Sequence, residues 1–421
     1  MTDSKKPGDL LNEGVALAKQ GKLDEAIAIF QSIKHEDSPK QYANAQFNLG
    51  LIFGKKGDIE GEIKAYQNIK REDSAEAYTQ AQLNLGFRLG QKGDIEGEIK
   101  AYRNIRYEDS SEIYAKAQLN LGFILGQKID LDGSIGIYRN IKREDSPEMY
   151  AQAQFNLGSA LSQKGDIEGS IEAYQNIKRK DSSEIYAQAQ FNLGSALSQK
   201  GDIEGSIKAY RSIKREDSPK IYAQAQFNLG FALRQKGDIK GSIKAYQNIK
   251  REDSSDTYAQ AQFNIGLTFE HEGDIEGSIK AYQNIKREDH YEAYTQAQFN
   301  LGLILGQKRD IEGAIEAYQN IKREDRYETY ARSQLNLGST LKQKGNINEA
   351  IKCYQNIKYK DHPVLYAKAQ FNLGLILEQK GDFKNAIEHY HNSSAHLHYH
   401  ANANIKILQI NDKKYVTPYI K

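Results

Sequence analysis

Residues 150–185 read YAQAQFNLGSALSQKGDIEGSIEAYQNIKRKDSSEI, and this block decides the fold. Its tyrosine, Tyr150, recurs every 36 residues, from Tyr42 and Tyr78 through to Tyr330 and Tyr366. A fixed period of this size marks a solenoid, a stack of small units that bury their apolar faces only against neighbours. From 148 to 164 the block holds no proline and one glycine, Gly158. Tyr150, Ala153, Leu157, Ala160 and Leu161 follow three- and four-residue steps there, which is one face of a helix. Gly165 can then take the left-handed conformation that closes a helix. Asp166 can accept a hydrogen bond from the free N–H groups of the next one. A second face follows at Ile167, Ser170, Ile171, Tyr174 and Ile177. It ends in Lys178-Arg179-Lys180-Asp181, with Asp181 and Ser182 placed to cap the following unit. Proline comes after that serine in three units, at Pro39, Pro147 and Pro219, as suits a first helical turn. The unit is an antiparallel helix pair, nothing reads as a strand, and the expected class is all-α.

Composition narrows the function. Of 421 residues 39% are hydrophobic, and mean hydropathy is −0.73, which fits a thin molecule with much polar surface. Basic and acidic residues number 58 and 56, a net charge of +2, so no general attraction to nucleic acid or anionic membrane is expected. One cysteine, Cys353, excludes an internal disulfide and fits a reducing compartment. The opening MTDSKKPGDLLNEG lacks the apolar run of a signal peptide, and no stretch approaches membrane-spanning length. The expectation is a cytoplasmic protein. Catalysis needs one asymmetric constellation, whereas this chain offers the same surface again and again, so no enzyme and no cofactor are expected. The charge runs, such as Lys70-Arg71-Glu72-Asp73, read as solvated helix ends.

Asn156-Leu157-Gly158, then Gly165-Asp166, then Ile171 and Tyr174 resemble the tetratricopeptide repeat. In that family an N-L-G triplet lies midway along helix A, a G-D or G-K turn follows, and helix B carries a small residue and an aromatic. The first unit matches it best, at Gln20-Gly21-Lys22-Leu23-Asp24-Glu25-Ala26-Ile27-Ala28-Ile29-Phe30. The resemblance runs over residues 8–392. It implies a right-handed α-solenoid superhelix of about eleven antiparallel helix pairs. It also implies a non-catalytic scaffold that binds a partner protein along a concave groove. The Sel1-like repeat has a similar length but calls for a longer, glycine-rich turn. The period departs from the usual length of about 34 residues. Gln154 replaces a large residue of helix A. The small helix-B position is alanine at Ala26, Ala314, Ala350 and Ala386, serine from Ser134 to Ser278, and glutamate at Glu62 and Glu98. A carboxylate between helices is costly unless paired, and Arg88 is expected to pair with Glu98. Two turns lose their glycine, at Ile129 and Arg309, and should be irregular.

The expected organisation is a disordered N-terminus at 1–5, one solenoid at 6–401, and a capping helix with a tail at 402–421. The last unit decays into HYHNSSAHLHYH. There His396 and His400 have the spacing of a helical metal pair, without a carboxylate or cysteine to complete it. A solvated, irregular final unit is the preferred reading.

Function should sit on the polar stripe of helix A, Gln152, Asn156, Ser159 and Gln163, which the resemblance places in the concave groove. The asparagine recurs at Asn12, Asn48, Asn84, Asn120, Asn156, Asn192, Asn228, Asn264, Asn300, Asn336 and Asn372. A row of amides can bond a peptide backbone whatever its sequence. It resembles the asparagine ladder of the nucleocytoplasmic glycosyltransferases that modify serine and threonine. The same amide can equally bond a neighbouring helix, and both readings stand. One turn further, the groove is apolar from Leu51 through Phe87 to Phe123, small and polar from Ser159 to Ser198, and mixed from Phe231 and Arg234 onward. Apolar anchors of a partner are expected near Phe87 and Phe123, unless those rings pack between helices. The cations Lys55, Lys116, Arg234, Arg332, Lys342 and Lys368 are too scattered for the clamp that holds a chain's terminal carboxylate. The expected ligand is a protein or peptide, with no membrane. The alternatives are an RNA-reading helical repeat, against which the neutral charge speaks, and a structural solenoid that stacks end to end.

Overall fold

The computed structural model describes residues 5–394 and 397–416, and side chains up to 394 and from 402 to 411. Serine and aspartate set its helix starts. Ser38, Ser74, Ser110, Ser146, Ser182 and Ser254 each accept a hydrogen bond from the backbone N–H three residues on. Where histidine stands instead, at His290 and His362, the ring Nδ1 accepts at 3.1 and 3.3 Å. Helix B of most pairs opens on an aspartate, as where Asp166 accepts from Gly169 N–H at 2.9 Å, whereas Lys22 and Asn346 stand there without a side-chain cap. Between the two helices Gly165 takes φ 86°, the left-handed conformation expected of it. Ile129 and Arg309 hold that conformation too, at φ 62° and 63°. The turns without glycine thus keep the regular shape and carry strain instead.

Among the described residues there are 23 helices and no strand. They form eleven antiparallel pairs, typified by Pro147–Lys164 with Ile167–Gln175, and a last helix, Leu397–Val416. The pairs fall into two units, Met1–Ile221 and Tyr222–Lys421, each a solenoid stack in itself. No helix among the described residues is long and apolar enough to cross a membrane.

Within a pair the triplet glycine is a close-approach site. The Tyr174 ring lies against Gly158, where a Cβ would come within 2.6 Å of the ring. Phe155 packs beside the same ring, centroids 6.0 Å apart. Ile171, Tyr174 and Ile177 then bury against Ala189 and Leu193 of the next pair. Gln154 is buried, and its Oε1 accepts from Asn176 Nδ2 at 3.2 Å. Gln82 and Asn104, and Gln298 and Asn320, repeat that bond. A polar tie between the two helices thus stands where the family's large residue would. In the second unit Ala403 and Ile410 of the last helix bury against Ala386 and Tyr390.

The charge runs are solvated only in part: their lysines and glutamates, such as Lys70 and Glu72, face water, whereas their arginines and aspartates pair. Arg143 reaches Asp181 at 3.2 Å, Arg251 reaches Asp289 at 3.2 Å and Arg323 reaches Asp361 at 2.7 Å. Arg71 with Asp109, Arg179 with Asp217, and Arg287 with Asp325 make the same pair. The partners are one period plus two residues apart, and the aspartates are buried. Asp181 therefore does not cap the next helix beside Ser182. It links two neighbouring helix pairs and also accepts from the backbone N–H of Lys178 at 3.2 Å. The arginine covers the tyrosine of the next helix pair, as Arg179 does Tyr186 at 4.8 Å. Two links of the first unit differ: His35 Nε2 lies 2.9 Å from Asp73, and Tyr107 donates to Asp145 at 2.7 Å.

Candidate functional site

The recurrent asparagine is held between neighbouring helix pairs. Its Nδ2 donates to the helix-B tyrosine of the preceding pair: Asn84 to Tyr66 at 3.3 Å, Asn120 to Tyr102 at 3.3 Å, Asn192 to Tyr174 at 3.4 Å, Asn300 to Tyr282 at 3.1 Å. Asn48 donates to the Asn44 carbonyl at 2.8 Å, and Gln152 donates to Asn156 at 3.0 Å. From Asn48 through Asn228 and Asn264 to Asn336 and Asn372 the side chains are half-buried, whereas Asn12 is exposed. Gln152 is half-buried and Gln163 exposed. These half-buried amides keep some access to solvent, while in Asn84, Asn120, Asn192 and Asn300 part of the capacity goes to the tyrosine. Burial pushes the Tyr66 and Tyr102 hydroxyls up to about 12. A further polar group meets that hydroxyl in several pairs: Ser159 at 3.3 Å from Tyr174, and Glu270 accepting from Tyr282 at 3.1 Å.

The apolar side chains one turn on do not pack between helices. Leu51, Phe87 and Phe123 are 45%, 55% and 59% exposed, one on each of three successive pairs. Leu51 and Phe87 border a pocket of about 540 Å³, which Lys55, Asn84, Lys116 and Asn120 also line. Phe87 and Phe123 border a second, of about 440 Å³, with Glu98 at its wall. Phe123, Asn156 and Gln163 border a third, of about 240 Å³. In the second unit Phe231 is likewise exposed. Arg234 is exposed too, and its charge opposes the upward push of burial on Tyr246. His396 and the His400 side chain lie outside the described residues.

The ion pair expected between Arg88 and Glu98 does not form. Arg88 Nε meets Glu62 Oε2 at 2.7 Å, and its Nη2 donates to Glu62 Oε1 at 3.2 Å. Glu62 rises from helix B of the preceding pair into the gap beside Arg88, whereas Glu98 lies on helix B of the same pair, against Gly90. Reading the sequence also left a relation unseen. The small helix-B position lies against the helix-A residue eight positions earlier. A Cβ at Gly54 would come within 2.7 Å of Glu62, and Ser134 stands 3.5 Å from a Cβ at Gly126. Where helix A carries Arg234, Glu270, Lys342 or Glu378, helix B carries Ser242, Ser278, Ala350 or Ala386. A long charged side chain thus enters this face from one helix or the other, never both, among these pairs. The constant offset of eight residues between the two series was the available signal.

The sequence matches the family described as Tetratricopeptide repeat over residues 11–77, 155–221, 191–257 and 335–391, and a second form of that repeat over 295–325. No curated protein matches the chain. Among solved structures, the crystal structure of MamA protein is 23% identical, covers 42% of this chain and 91% of its own, and has a TM-score of 0.34. The structure of YrrB, described as a TPR protein with an unusual peptide-binding site, is 15% identical, with 50% and 99% covered and a TM-score of 0.35. The APC/C hetero-tetramer Cut9-Hcn1 is 13% identical, with 96% of each chain covered and a TM-score of 0.33. The family matches take in more than half of the sequence, and its signature glycine, turn and aromatic stand where the helix pairs require them: the chain belongs to the tetratricopeptide repeat family.

Proposed function

We propose that this protein is a non-catalytic scaffold whose helix-A face, the concave side in tetratricopeptide superhelices, holds an extended or helical segment of a partner protein. The observation that carries this reading is the run of Leu51, Phe87 and Phe123, exposed one per pair with pockets between them. Each is about half exposed, so covering the rest of one such side chain gains about 1 kcal/mol. Three of them, one period apart, suit a segment whose affinity grows with the length bound. Asn84 and Asn120 line the first pocket, where their remaining amide capacity can meet a peptide backbone. A protein is favoured over RNA because the repeated arginines are committed to buried aspartates rather than free to meet phosphates. A cytoplasmic setting belongs to the proposal, in keeping with the single, buried and free Cys353. In the same reading the helix Leu397–Val416 caps the stack.

The test is affinity purification from native lysate, comparing wild type with a Phe87→Ala, Phe123→Ala double variant, followed by calorimetry on the purified pair. A protein recovered by wild type, lost by the variant and bound directly is the expected result. Equal recovery by both would move the site off this face.

A further inference from the structure

In two adjacent pairs the chain places a carboxylate at the same helix-B position, Glu62 over Gly54 and Glu98 over Gly90. One difference in their surroundings decides their state of pairing. Glu62 is met by Arg88 of the next pair, Nε to Oε2 at 2.7 Å. One period after Arg88 stands Ile124, buried and apolar, so Glu98 receives no arginine. Among the described residues no cation lies within ion-pair distance of it; Lys128 is exposed at the same pocket and makes no such pair. Burial pushes the Glu98 carboxyl above the usual glutamate range, and a hydrogen bond with Tyr102 only partly opposes that. The carboxylate thus stands at the wall of a pocket of about 440 Å³ whose flanks are two exposed aromatic rings, Phe87 and Phe123.

We infer that this pocket takes an arginine or lysine side chain of the partner segment, its cation against Glu98 and its stem along the Phe87 and Phe123 rings. Arg88 on Glu62 is the same contact made within the chain, and it shows what the position accepts. A partly desolvated carboxylate gains a charge-assisted hydrogen bond from a cation. The ring faces attract that cation, and the alkyl stem covers apolar surface. The inference rests on the partner-binding reading above and adds to it the charge that the partner must carry.

The experiment selects random linear peptides displayed on phage against the full chain, and against its Glu98→Gln, Ile124→Arg, and Phe87→Ala with Phe123→Ala variants. Wild type is expected to enrich peptides with a basic residue at a fixed distance from apolar ones. One such peptide should lose about tenfold in affinity for Glu98→Gln. Changing its basic residue to glutamine should cost the same against wild type and nothing more against Glu98→Gln. Ile124→Arg, which supplies the missing internal partner, should abolish the basic preference even if Glu98→Gln were to fold poorly. Enriched peptides that need Phe87 and Phe123 but show no basic position, or that bind Glu98→Gln and Ile124→Arg unchanged, would overturn the inference and leave the partner-binding reading standing. No enrichment, or enrichment indifferent to the two phenylalanines, would remove both.

Discussion

The helix pairs of residues 147–212 and those of residues 39–138 stand on one frame. In both, serine and aspartate open the helices, a glycine lies under a tyrosine, and an amide ties helix A to helix B. On the face left over, the first group carries Ser159, Ser162, Ser195 and Ser198, with Ser170 and Ser206 beneath. The second carries Leu51, Phe87 and Phe123, with Glu62 and Glu98 beneath. Frame side chains repeat because each must fit a neighbour of the same kind. Face side chains are released from that requirement, so the departures from the repeat are where a partner can be recognised.

Breaking the face of the second group should cost most at Arg88. Arg88→Ala leaves Glu62 buried without a cation, and a loss of about 3 kcal/mol in urea unfolding is expected. In a double-mutant cycle the loss should couple strongly to Glu62→Ala, while Glu98→Ala should add to Arg88→Ala within about 0.5 kcal/mol. Coupling to Glu98 instead would mean that the two carboxylates have exchanged roles. The first group has Ala160 at the position of Arg88, and nothing comparable to lose there.

The frame breaks next, at its glycines. Gly158→Ala drives a methyl into the Tyr174 ring and should cost about 2 kcal/mol. At Gly126 a Cβ meets only Ser134 Oγ, at 3.5 Å, so Gly126→Ala should stabilise by about 0.5 kcal/mol through helix propensity. Two helical glycines thus answer in opposite directions, which a thermal melt of each variant would show. A smaller gain is expected from relieving the left-handed Ile129. Ile129→Gly removes about 1–2 kcal/mol of backbone strain, which glycine's larger unfolded-state entropy partly offsets. No rise in melting temperature would mean that the turn holds Ile129 without strain.

Local chemistry explains what the sequence made legible. The helix pairs, the Ser182 and Asp166 caps and the Gly165 turn each depend on residues within a few positions, and periodicity reports them directly. The contacts that join one helix pair to the next do not. Asp181 reads as a cap because Ser182 is its neighbour in sequence, yet its partner, Arg143, is 38 residues away. Arg88 reads as the partner of Glu98 because both belong to one pair, yet stacking sets it against Glu62 of the pair before. The variable positions Leu51, Phe87 and Phe123 could be picked out as exceptions to the repeat. Whether these side chains faced solvent or a neighbouring helix depended on the packing between helix pairs, which a period alone does not state.

The smallest expected effect sharpens the comparison between the two carboxylates of the face. Because burial raises the Glu98 pKa in the folded chain, the native state binds its proton more tightly than the unfolded chain does. Stability from this group is therefore fully present at low pH and lost as pH rises from the ordinary glutamate value through the raised one. Glutamine at position 98 does not titrate. Glu98→Gln should match wild type in acid and become the more stable of the two as pH climbs toward neutrality, read as the difference of their melting temperatures across that range. The gain should be modest, since the carboxylate is only partly shielded from water. A variant that instead lost stability against wild type as pH rose would mean that Glu98 already holds a cation of its own, and the pocket between Phe87 and Phe123 would have no free charge to offer a partner.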